Sequence, residues 1–228
     1  ASGPSGVRPA RIPGRSSPSA AAPGAARANT VNTGVYLLEP EAIAAIPQAR
    51  FCSFEQDLFP QLIAGHAAVY AFQRAHTWID TGTPSGYLKA QAAVLEGIGS
   101  TPAGICADGV WREDNITLDS GAVVQPPVAV GFGTMIAAGS RFIRSSIGRD
   151  CHLLAEALID SSAIWNQCQI ERGAVIQSSI VGHNCYIGAG ARLEQALLGD
   201  GCIIQAAAQL PPGTVVAPNT IWPEPNTR

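Results

Sequence analysis

Lysine is almost missing from this chain: Lys89 is the only one among 228 residues, and charged side chains make up just 14% of the sequence. The formal net charge is −3, so the chain has no overall basic surface of the kind that binds nucleic acid. A run of about eighteen apolar residues is also missing, so we predict no transmembrane helix and no membrane partner. No charged start precedes an apolar core, so we predict no secretory signal and expect a cytoplasmic protein.

Aliphatic residues recur every seventeen positions in the second half of the chain, in steps of six, six and five. Fixed self-similarity at such a period indicates a solenoid, and the spacing does not match the i, i+3, i+4 pattern of an amphipathic helix. We predict five to six coils of three short strands each, stacked ~4.8 Å apart around one dry aliphatic column. The ladders are Val130, Ile147, Ile164, Val181, Leu198 and then Val215; Ile136, Leu153, Ile170, Ile187, Ile204 and then Ile221; and Phe142, Ile159, Ile176, Leu193 and Leu210.

Four of the six cysteines lie in the repeat, four positions after members of the first ladder: Cys151, Cys168, Cys185 and Cys202. A small residue fits the crowded corner there, and buried thiols behave as small hydrophobic groups. We therefore interpret them as core packing, because a metal site needs ligands that converge from several directions. Free thiols also fit a reducing, cytoplasmic setting.

The chain before the repeat has three parts by composition. Residues 1–29 contain Ala, Pro, Gly, Ser and Arg without any acid, and we predict a disordered tail, with a transit peptide or an out-of-frame, non-native stretch as alternatives. An α/β segment is predicted for residues 30–100, a linker for 101–110, the solenoid for 111–222 and a tail for 223–228. Within the α/β segment we predict a strand at 31–38, a short helix at 40–46, a helix at 54–63 with Ser53 as its N-cap and Gln56 in the capping box, one or two strands at 68–79, and a helix that follows Thr83 and Pro84.

Three polar residues of the α/β segment are candidates for chemistry. Asp80 follows a predicted strand and precedes Thr81-Gly82-Thr83-Pro84, the place where open α/β sheets bind ligands and metals. Glu55 lies one residue inside a predicted helix, and Asn32 lies on a predicted strand before a glycine. Each also has a plain structural interpretation: Asp80 as a turn or cap residue, Glu55 as compensation of the helix dipole, and Asn32 as an ordinary strand-end side chain.

Short sequence blocks carry a resemblance to known proteins. V-G-F-G-T-M, I-G-R-D-C-H, V-G-H-N-C-Y, I-G-A-G-A-R and L-G-D-G-C-I resemble the hexapeptide repeat of the left-handed parallel β-helix. V-N-T-G-V-Y-L-L-E-P-E, S-F-E-Q-D-L-F-P-Q-L and W-I-D-T-G-T-P-S-G-Y-L-K-A resemble the C-terminal part of the catalytic domain of sugar-1-phosphate nucleotidyltransferases, above all the mannose-1-phosphate guanylyltransferases. The resemblance implies an α/β fragment of a Rossmann-like domain followed by an all-β left-handed parallel β-helix, a family exception to the right-handed crossover rule.

The resemblance also implies roles for single residues. Asn32 and Gly34 would line the sugar pocket, Glu55 would accept hydrogen bonds from sugar hydroxyls, and Asp80 would bind Mg²⁺. The implied reaction joins a sugar 1-phosphate, mannose 1-phosphate in the nearest relatives, to a nucleoside triphosphate such as GTP, and releases pyrophosphate. Homologous β-helices mediate assembly, so the resemblance further implies a homo-oligomer.

Three elements of the family pattern are missing from residues 1–228. They are the glycine-rich loop G-x-G-T-R-L-x-P-L-T that cradles the triphosphate, the first metal-binding aspartate, and the lysine of an E-K-P block, since Lys89 lies on a late helix instead. We therefore expect an N-terminally truncated and inactive piece with no complete catalytic set.

Two other functions remain open. A hexapeptide acyltransferase would use a histidine on the outside of the β-helix as its general base, with His152 and His183 as candidates. The alternative interpretation is that His183 is a solvated surface histidine. A non-catalytic assembly or regulatory subunit would use the β-helix as an oligomer interface.

Overall fold

The structure is a computed structural model that describes residues 10–11, 32–72, 77–99, 102 and 104–223. It divides into two compact units, Ala1–Trp78 and Ile79–Arg228. Within the part of the chain that is described, no helix has both the length and the apolar character needed to cross a membrane.

The first unit is small and mostly irregular. Strand β1 (Ala10–Arg11) pairs antiparallel with β2 (Tyr70–Ala71), which joins Ala10 to Ala71 and Arg11 to Tyr70. Helix α1 covers Pro40–Ala44, and a π-helical turn over Phe54–Leu58 leads into α2 (Phe59–Ala64). Most of the tail predicted for residues 1–29 lies outside the described residues.

Both strand predictions in this unit need correction. Residues 32–39 contain no strand, and in the stretch from 68 to 79 only Tyr70–Ala71 is a strand among the residues described. A β-strand exists through hydrogen bonds to a neighbour, and the described residues offer none to the chain at 32–38. Its apolar side chains are accordingly exposed: 84% for Val35 and 102% for Leu37.

The helix starts follow the predicted caps, with one change of partner. Ser53 Oγ accepts from the Gln56 N–H at 3.2 Å as expected, but the carboxylate that reaches back to the Ser53 N–H, at 2.8 Å, belongs to Asp57. The opening turn is wider than an α-helical turn, because the N–H groups of Asp57 and Leu58 both donate to the Ser53 carbonyl. The side chain that accepts from the Ser53 N–H is therefore that of the fourth residue after Ser53, and not that of the third. The Thr83 cap is confirmed: its Oγ1 accepts from the Gly86 N–H at 3.1 Å at the start of α3 (Pro84–Leu95).

The second unit contains the predicted parallel solenoid. Strand β3 (Ile105–Ala107), inside the predicted linker, pairs antiparallel with β4 (Val110–Arg112) at its beginning. The other strands pair in parallel into three sheets of eight, seven and six strands, where the eight include β3. The remaining strands β5 to β23 are, in order, Thr117–Leu118, Val123–Gln125, Val128–Val130, Met135–Ile136, Arg141–Ile143, Ser146–Ile147, His152–Leu153, Leu158–Asp160, Ala163–Ile164, Gln169–Ile170, Val175–Gln177, Ile180–Val181, Tyr186–Ile187, Arg192–Glu194, Leu197–Leu198, Ile203–Ile204, Gln209–Leu210, Val215–Val216 and Ile221–Trp222.

The predicted inward ladders form the core from Val130 to Leu210. Every member of the three ladders in that range is at most 6% exposed, and Cys151, Cys168, Cys185 and Cys202 are at most 1% exposed. The strand register repeats the seventeen-residue step, as in Ile147 beside Ile164 and Ile170 beside Ile187. Burial of one continuous aliphatic column therefore holds the coils together.

The register slips by one residue in the last coil. Leu198 pairs with Val216 and Ile204 with Trp222, so the predicted continuation of the ladders by Val215 and Ile221 is wrong. The turn Pro211-Pro212-Gly213-Thr214 holds one residue more than the equivalent turns of the preceding coils. Consequently Val215 is 70% exposed and Ile221 39% exposed.

Helix α3 packs on the outside of the eight-stranded sheet, the first of the three sheets of the β-helix. Gln91 joins two neighbouring strands, because its Oε1 accepts from Ser146 Oγ at 2.8 Å and its Nε2 donates to the Ser162 carbonyl at 3.0 Å. Trp165 Nε1 donates to Tyr87 Oη at 3.2 Å near the start of α3. The β-helix therefore fixes the position of α3.

Candidate functional site

Asn32, Gly34 and Glu55 lie together in the first unit. Asn32 Nδ2 donates to Glu55 Oε1 at 2.7 Å across 23 positions of sequence. Asn32 Oδ1 accepts from the Gly34 N–H at 3.0 Å, which closes a tight Asx turn. Gly34 has φ of +74°, a conformation that favours glycine, and a Cβ there would meet nothing within 4 Å. The site is exposed, so a solute can reach its polar atoms.

The side chain of Tyr36 completes this cluster. Its hydroxyl oxygen accepts from Asn32 Nδ2 at 2.8 Å. Its ring stacks on Phe54, with centroids 5.3 Å apart and planes 19° apart, and meets Phe59 edge-on at 4.9 Å. The aromatic contacts therefore tie the cluster to the same helical turn that carries Glu55.

Glu55 owes its place to the cap of the π-helical turn. It is the second residue of Phe54–Leu58, directly after the Ser53 cap. Unpaired backbone N–H groups at a helix start favour negative charge nearby, and Asp57 is also in this first turn. Glu55 Oε1 is engaged by Asn32, and Oε2 remains a potential acceptor for a ligand hydroxyl.

Asp80 belongs to the second unit and sits in a turn. Its Oδ1 accepts from the Gly82 N–H at 2.8 Å, and it follows irregular chain over residues 77–79, so the predicted strand before it is wrong. Gly86 allows the first turn of α3 to approach closely, because a Cβ there would overlap the Asp80 carbonyl oxygen. Among the described residues, no group of three or more His, Cys, Asp and Glu side chains could hold a metal ion. The turn interpretation of Asp80 accounts for these contacts.

Comparison with known proteins finds two family models that match different parts of the chain. The family model for the nucleotidyl transferase domain matches residues 17–97, and that for the EIF2B subunit epsilon LbH domain, a left-handed β-helix, matches residues 107–216. A mannose-1-phosphate guanylyltransferase of Mycobacterium tuberculosis is 34% identical over 113 residues, 49% of this chain and 32% of that protein. The first part of the chain is thus similar to sugar-1-phosphate nucleotidyltransferases, and the second part to a left-handed β-helix domain. The fold of the chain is the predicted α/β part followed by a left-handed parallel β-helix.

Other relatives are also sugar-1-phosphate nucleotidyltransferases, but their names specify different nucleotides and sugars. Mannose-1-phosphate guanylyltransferase 1 of Arabidopsis thaliana is 28% identical over 140 residues, 59% of this chain and 38% of that protein. A UTP–glucose-1-phosphate uridylyltransferase of Synechocystis is 32% identical over 145 residues, 58% of this chain and 35% of that protein. The chain thus spans about a third of the length of these nucleotidyltransferases.

A solved structure of an acetyltransferase resembles part of the chain. A perosamine N-acetyltransferase from Caulobacter crescentus is 21% identical, with a TM-score of 0.44 over 46% of this chain and 51% of that chain. A likeness at this level carries no argument about function.

Neither histidine considered for acyl transfer is set up as a general base. His152 is an exposed residue of the second sheet. His183 is half-buried, its ring lies 4.9 Å from that of Trp165, and its Nδ1 accepts from the Asn166 N–H at 3.2 Å. This hydrogen bond occupies the lone pair of Nδ1, the nitrogen that accepts in this tautomer of the ring. The interpretation of His183 as a solvated surface residue is therefore wrong; it braces a corner, as Asp200 Oδ1 does by accepting from the His183 N–H at 2.7 Å.

The four buried cysteines form a column of free thiols. Each Sγ donates to a carbonyl oxygen of the next coil at 3.1 to 3.2 Å. Hydrogen bonds with the thiols of Cys151 and Cys185, together with burial, raise the pKa of Cys168, and burial raises the pKa of Cys202. The same hydrogen bonds with the Cys168 thiol lower the pKa of Cys151 and of Cys185. All four thiols face inward and are at most 1% exposed, so the core shields them from reagents and metal ions, which agrees with the core-packing interpretation.

Sequence reasoning missed two residues of the site, Tyr36 and Asp57. Asp57 follows Ser53 by four positions, and its role depends on the wide opening turn. Tyr36 follows Asn32 by four positions and stands in the V-N-T-G-V-Y block, but the prediction of an extended strand concealed their contact. The tight turn at Gly34 brings them together, and a glycine two residues after an Asn was the available signal.

Proposed function

We propose that the cluster of Asn32, Gly34 and Glu55 binds the sugar 1-phosphate in a nucleotidyl-transfer reaction. The observation that carries the proposal is the Glu55 carboxylate held by the Asn32 amide at 2.7 Å, between two blocks that are far apart in sequence. Guanylyltransferase relatives favour mannose 1-phosphate and GTP as the substrates, with GDP-mannose and pyrophosphate as the products. The uridylyltransferase relative makes glucose 1-phosphate and UTP the competing pair.

The chemistry available to this cluster is recognition and orientation. A carboxylate accepts strong hydrogen bonds from sugar hydroxyls, and Oε2 of Glu55 has capacity for them. In the proposed reaction a phosphate oxygen of the sugar 1-phosphate attacks the α-phosphorus of the triphosphate, a P–O bond forms, and pyrophosphate departs. Holding the sugar contributes by aligning the attacking oxygen, which is the main means by which proteins speed phosphoryl-type transfer.

Asp80 is the residue that would hold a magnesium ion in this reaction. The carboxylate of Asp80 is a suitable oxygen ligand, and Mg²⁺ commonly binds to one or two carboxylates together with substrate phosphates. However, the described residues contain no cluster of three ligands, and Asp80 Oδ1 is already engaged with Gly82. Asp80 alone does not make a metal centre.

We further propose that residues 1–228 alone do not turn over. The sequence contains neither the glycine-rich triphosphate loop nor the E-K-P lysine of the family pattern. Cationic groups and backbone N–H groups normally stabilise the charge that develops on the phosphates. The check is a pyrophosphate-release assay with GTP, mannose 1-phosphate and Mg²⁺, for which we expect no signal above the enzyme-free blank.

Ligand-observed NMR tests the binding function directly. Mannose 1-phosphate should show saturable transfer of magnetisation from the protein, whereas inorganic phosphate should not displace it at equal concentration, because the proposed contacts are to sugar hydroxyls. Displacement by inorganic phosphate, or no saturable signal, would contradict the proposal. Competition between mannose 1-phosphate and glucose 1-phosphate then ranks the two sugars.

A second candidate function, as an assembly or regulatory subunit, has its own support. Tyr186, Ile203 and Ile221 are partly exposed apolar residues on neighbouring strands at the outer side of the seven-stranded sheet, at 37%, 42% and 39%. An apolar outer face on a regular β-helix suits a homo-oligomer. Light scattering coupled to size exclusion tests this: a Tyr186→Lys variant should reduce the mass of an oligomer, and a wild-type monomer would contradict the proposal.

A further inference from the structure

Asn32 has committed both of its amide hydrogens inside the proposed site. Its Nδ2 donates to Tyr36 Oη at 2.8 Å and to Glu55 Oε1 at 2.7 Å, and its Oδ1 accepts from the Gly34 N–H at 3.0 Å. A primary amide has only two N–H donors, so no donor is left for a ligand. The amide cannot be turned over either, because its oxygen would then face the Glu55 carboxylate. Asn32 therefore acts on a ligand chiefly through Glu55.

Tyr36 is the partner that fixes this amide. Its ring is packed against Phe54 and Phe59, at centroid distances of 5.3 Å and 4.9 Å. Phe54 is adjacent to Glu55 in the π-helical turn, so the hydroxyl of Tyr36 and the carboxylate of Glu55 are placed by the same short element. The two acceptors hold the two hydrogens of one amide at a set separation.

We propose that Tyr36 is a positioning residue of the sugar site. It holds the Asn32 amide so that one hydrogen engages Oε1 of Glu55, and Oε2 stays available to a sugar hydroxyl. This inference rests on the proposed function of the Glu55 cluster. Without the Tyr36 hydroxyl the amide loses one of its two acceptors, and the Glu55 carboxylate gains rotational freedom that a ligand must then remove.

The first test separates the hydroxyl from the ring. Tyr36→Phe removes only the hydroxyl and keeps the contacts with Phe54 and Phe59, so the melting temperature should change little. Mannose 1-phosphate should bind about three- to tenfold more weakly, the range expected for the loss of one neutral hydrogen bond. Tyr70→Phe is the matched control, because Tyr70 lies in the same unit, is 55% exposed and takes no part in the cluster; it should bind as wild type.

A double-mutant comparison tests whether Tyr36 acts through Asn32. In an Asn32→Ala background, Tyr36→Phe should weaken binding no further, because the hydroxyl has lost the group that it positions. An equal loss in both backgrounds would overturn the positioning role and would instead indicate direct contact between Tyr36 and the ligand.

A ligand-free measurement keeps the inference apart from the proposed function. The Asn32 side-chain amide resonances, assigned by their loss in Asn32→Ala, should shift in Tyr36→Phe and stay in place in Tyr70→Phe. Unmoved resonances would overturn the inference even if mannose 1-phosphate binds. If the resonances shift in Tyr36→Phe but the wild-type protein binds no sugar 1-phosphate, the proposed function is overturned. The role of Tyr36 in substrate binding is then overturned as well.

Discussion

Ser162 shows how single residues satisfy the buried corners of the β-helix. Its Oγ donates to the Asp160 carbonyl at 2.7 Å and accepts from the Ser179 N–H at 3.1 Å. Ser179 does the same for the Ala196 N–H at 3.0 Å, and there the column of hydroxyls ends. The small size of these residues was predictable from the repeat, but their hydrogen bonds were not, because alanine fills the same position at Ala196.

Removal of one hydroxyl from this column should be costly. Ser162→Ala leaves the buried N–H of Ser179 without its acceptor, and we expect a loss of about 1–3 kcal/mol in the free energy of unfolding. Chemical denaturation measures the change, with exposed Ser120→Ala as the control. If both variants lost equal stability, the hydroxyl column would have no special role.

At the scale of one strand, burial alternates between neighbours. In Ile203–Ile204 the first isoleucine is 42% exposed and the second is fully buried in the core. Ile204→Ala should therefore cost about 2–5 kcal/mol and Ile203→Ala less than about 1 kcal/mol. Equal costs in urea denaturation would mean that the register of strand β20 (Ile203–Ile204) differs from the one described.

The end of the β-helix illustrates where the sequence pattern loses its power. Val215 and Val216 are both apolar, as are Ile221 and Trp222, so the seventeen-residue period and the slipped register both place apolar residues inside. Because the turn after Leu210 is longer, Val216 and Trp222 take the inward positions in register with Leu198 and Ile204. Repeats predict the middle coils well because each contacts only its neighbours, whereas turn lengths decide the ends.

Glu113 fastens the first coil to the next two. Its Oε2 accepts from the Phe132 N–H and from Arg149 Nε, both at 2.8 Å, and its Oε1 accepts from Arg149 at 2.6 Å. These bonds, with Arg149 foremost, lower the pKa of Glu113 from its ordinary value of 4.5 to about 2. The charged carboxylate therefore stabilises the fold above pH 4.5, and this contribution is lost as the pH falls towards 2.

Replacement of this carboxylate should change the acid stability of the β-helix. We expect Glu113→Gln to be less stable than wild type at pH 6, and the difference in melting temperature to shrink between pH 4.5 and pH 2. Thermal unfolding followed by circular dichroism at a series of pH values measures this. A difference that stays constant down to pH 2 would contradict the role of the charge.

For the whole molecule, the sequence was a better guide to the β-helix than to the first unit. Local repeats foretold the core, but strands predicted at 31–38 and 68–79 needed partners that no local pattern supplies, and only Tyr70–Ala71 formed among the residues described. Of the residues predicted for the site, Asn32, Gly34 and Glu55 contact one another, and Asp80 lies in the second unit. Their roles towards a ligand stay predictions. The contact of Tyr36 with Asn32 was not predicted, because it depends on a turn that an extended strand does not contain.

The central claim is that the Glu55 cluster binds a sugar 1-phosphate. The most direct measurement is a titration of mannose 1-phosphate into wild type, Glu55→Gln and Glu41→Gln, where Glu41 is an exposed acid of the same unit. Our account predicts saturable binding to wild type and to Glu41→Gln, and a dissociation constant at least about tenfold higher for Glu55→Gln, as expected for a lost charge-assisted hydrogen bond. No saturable binding to wild type, or equal affinity for Glu55→Gln, would contradict it.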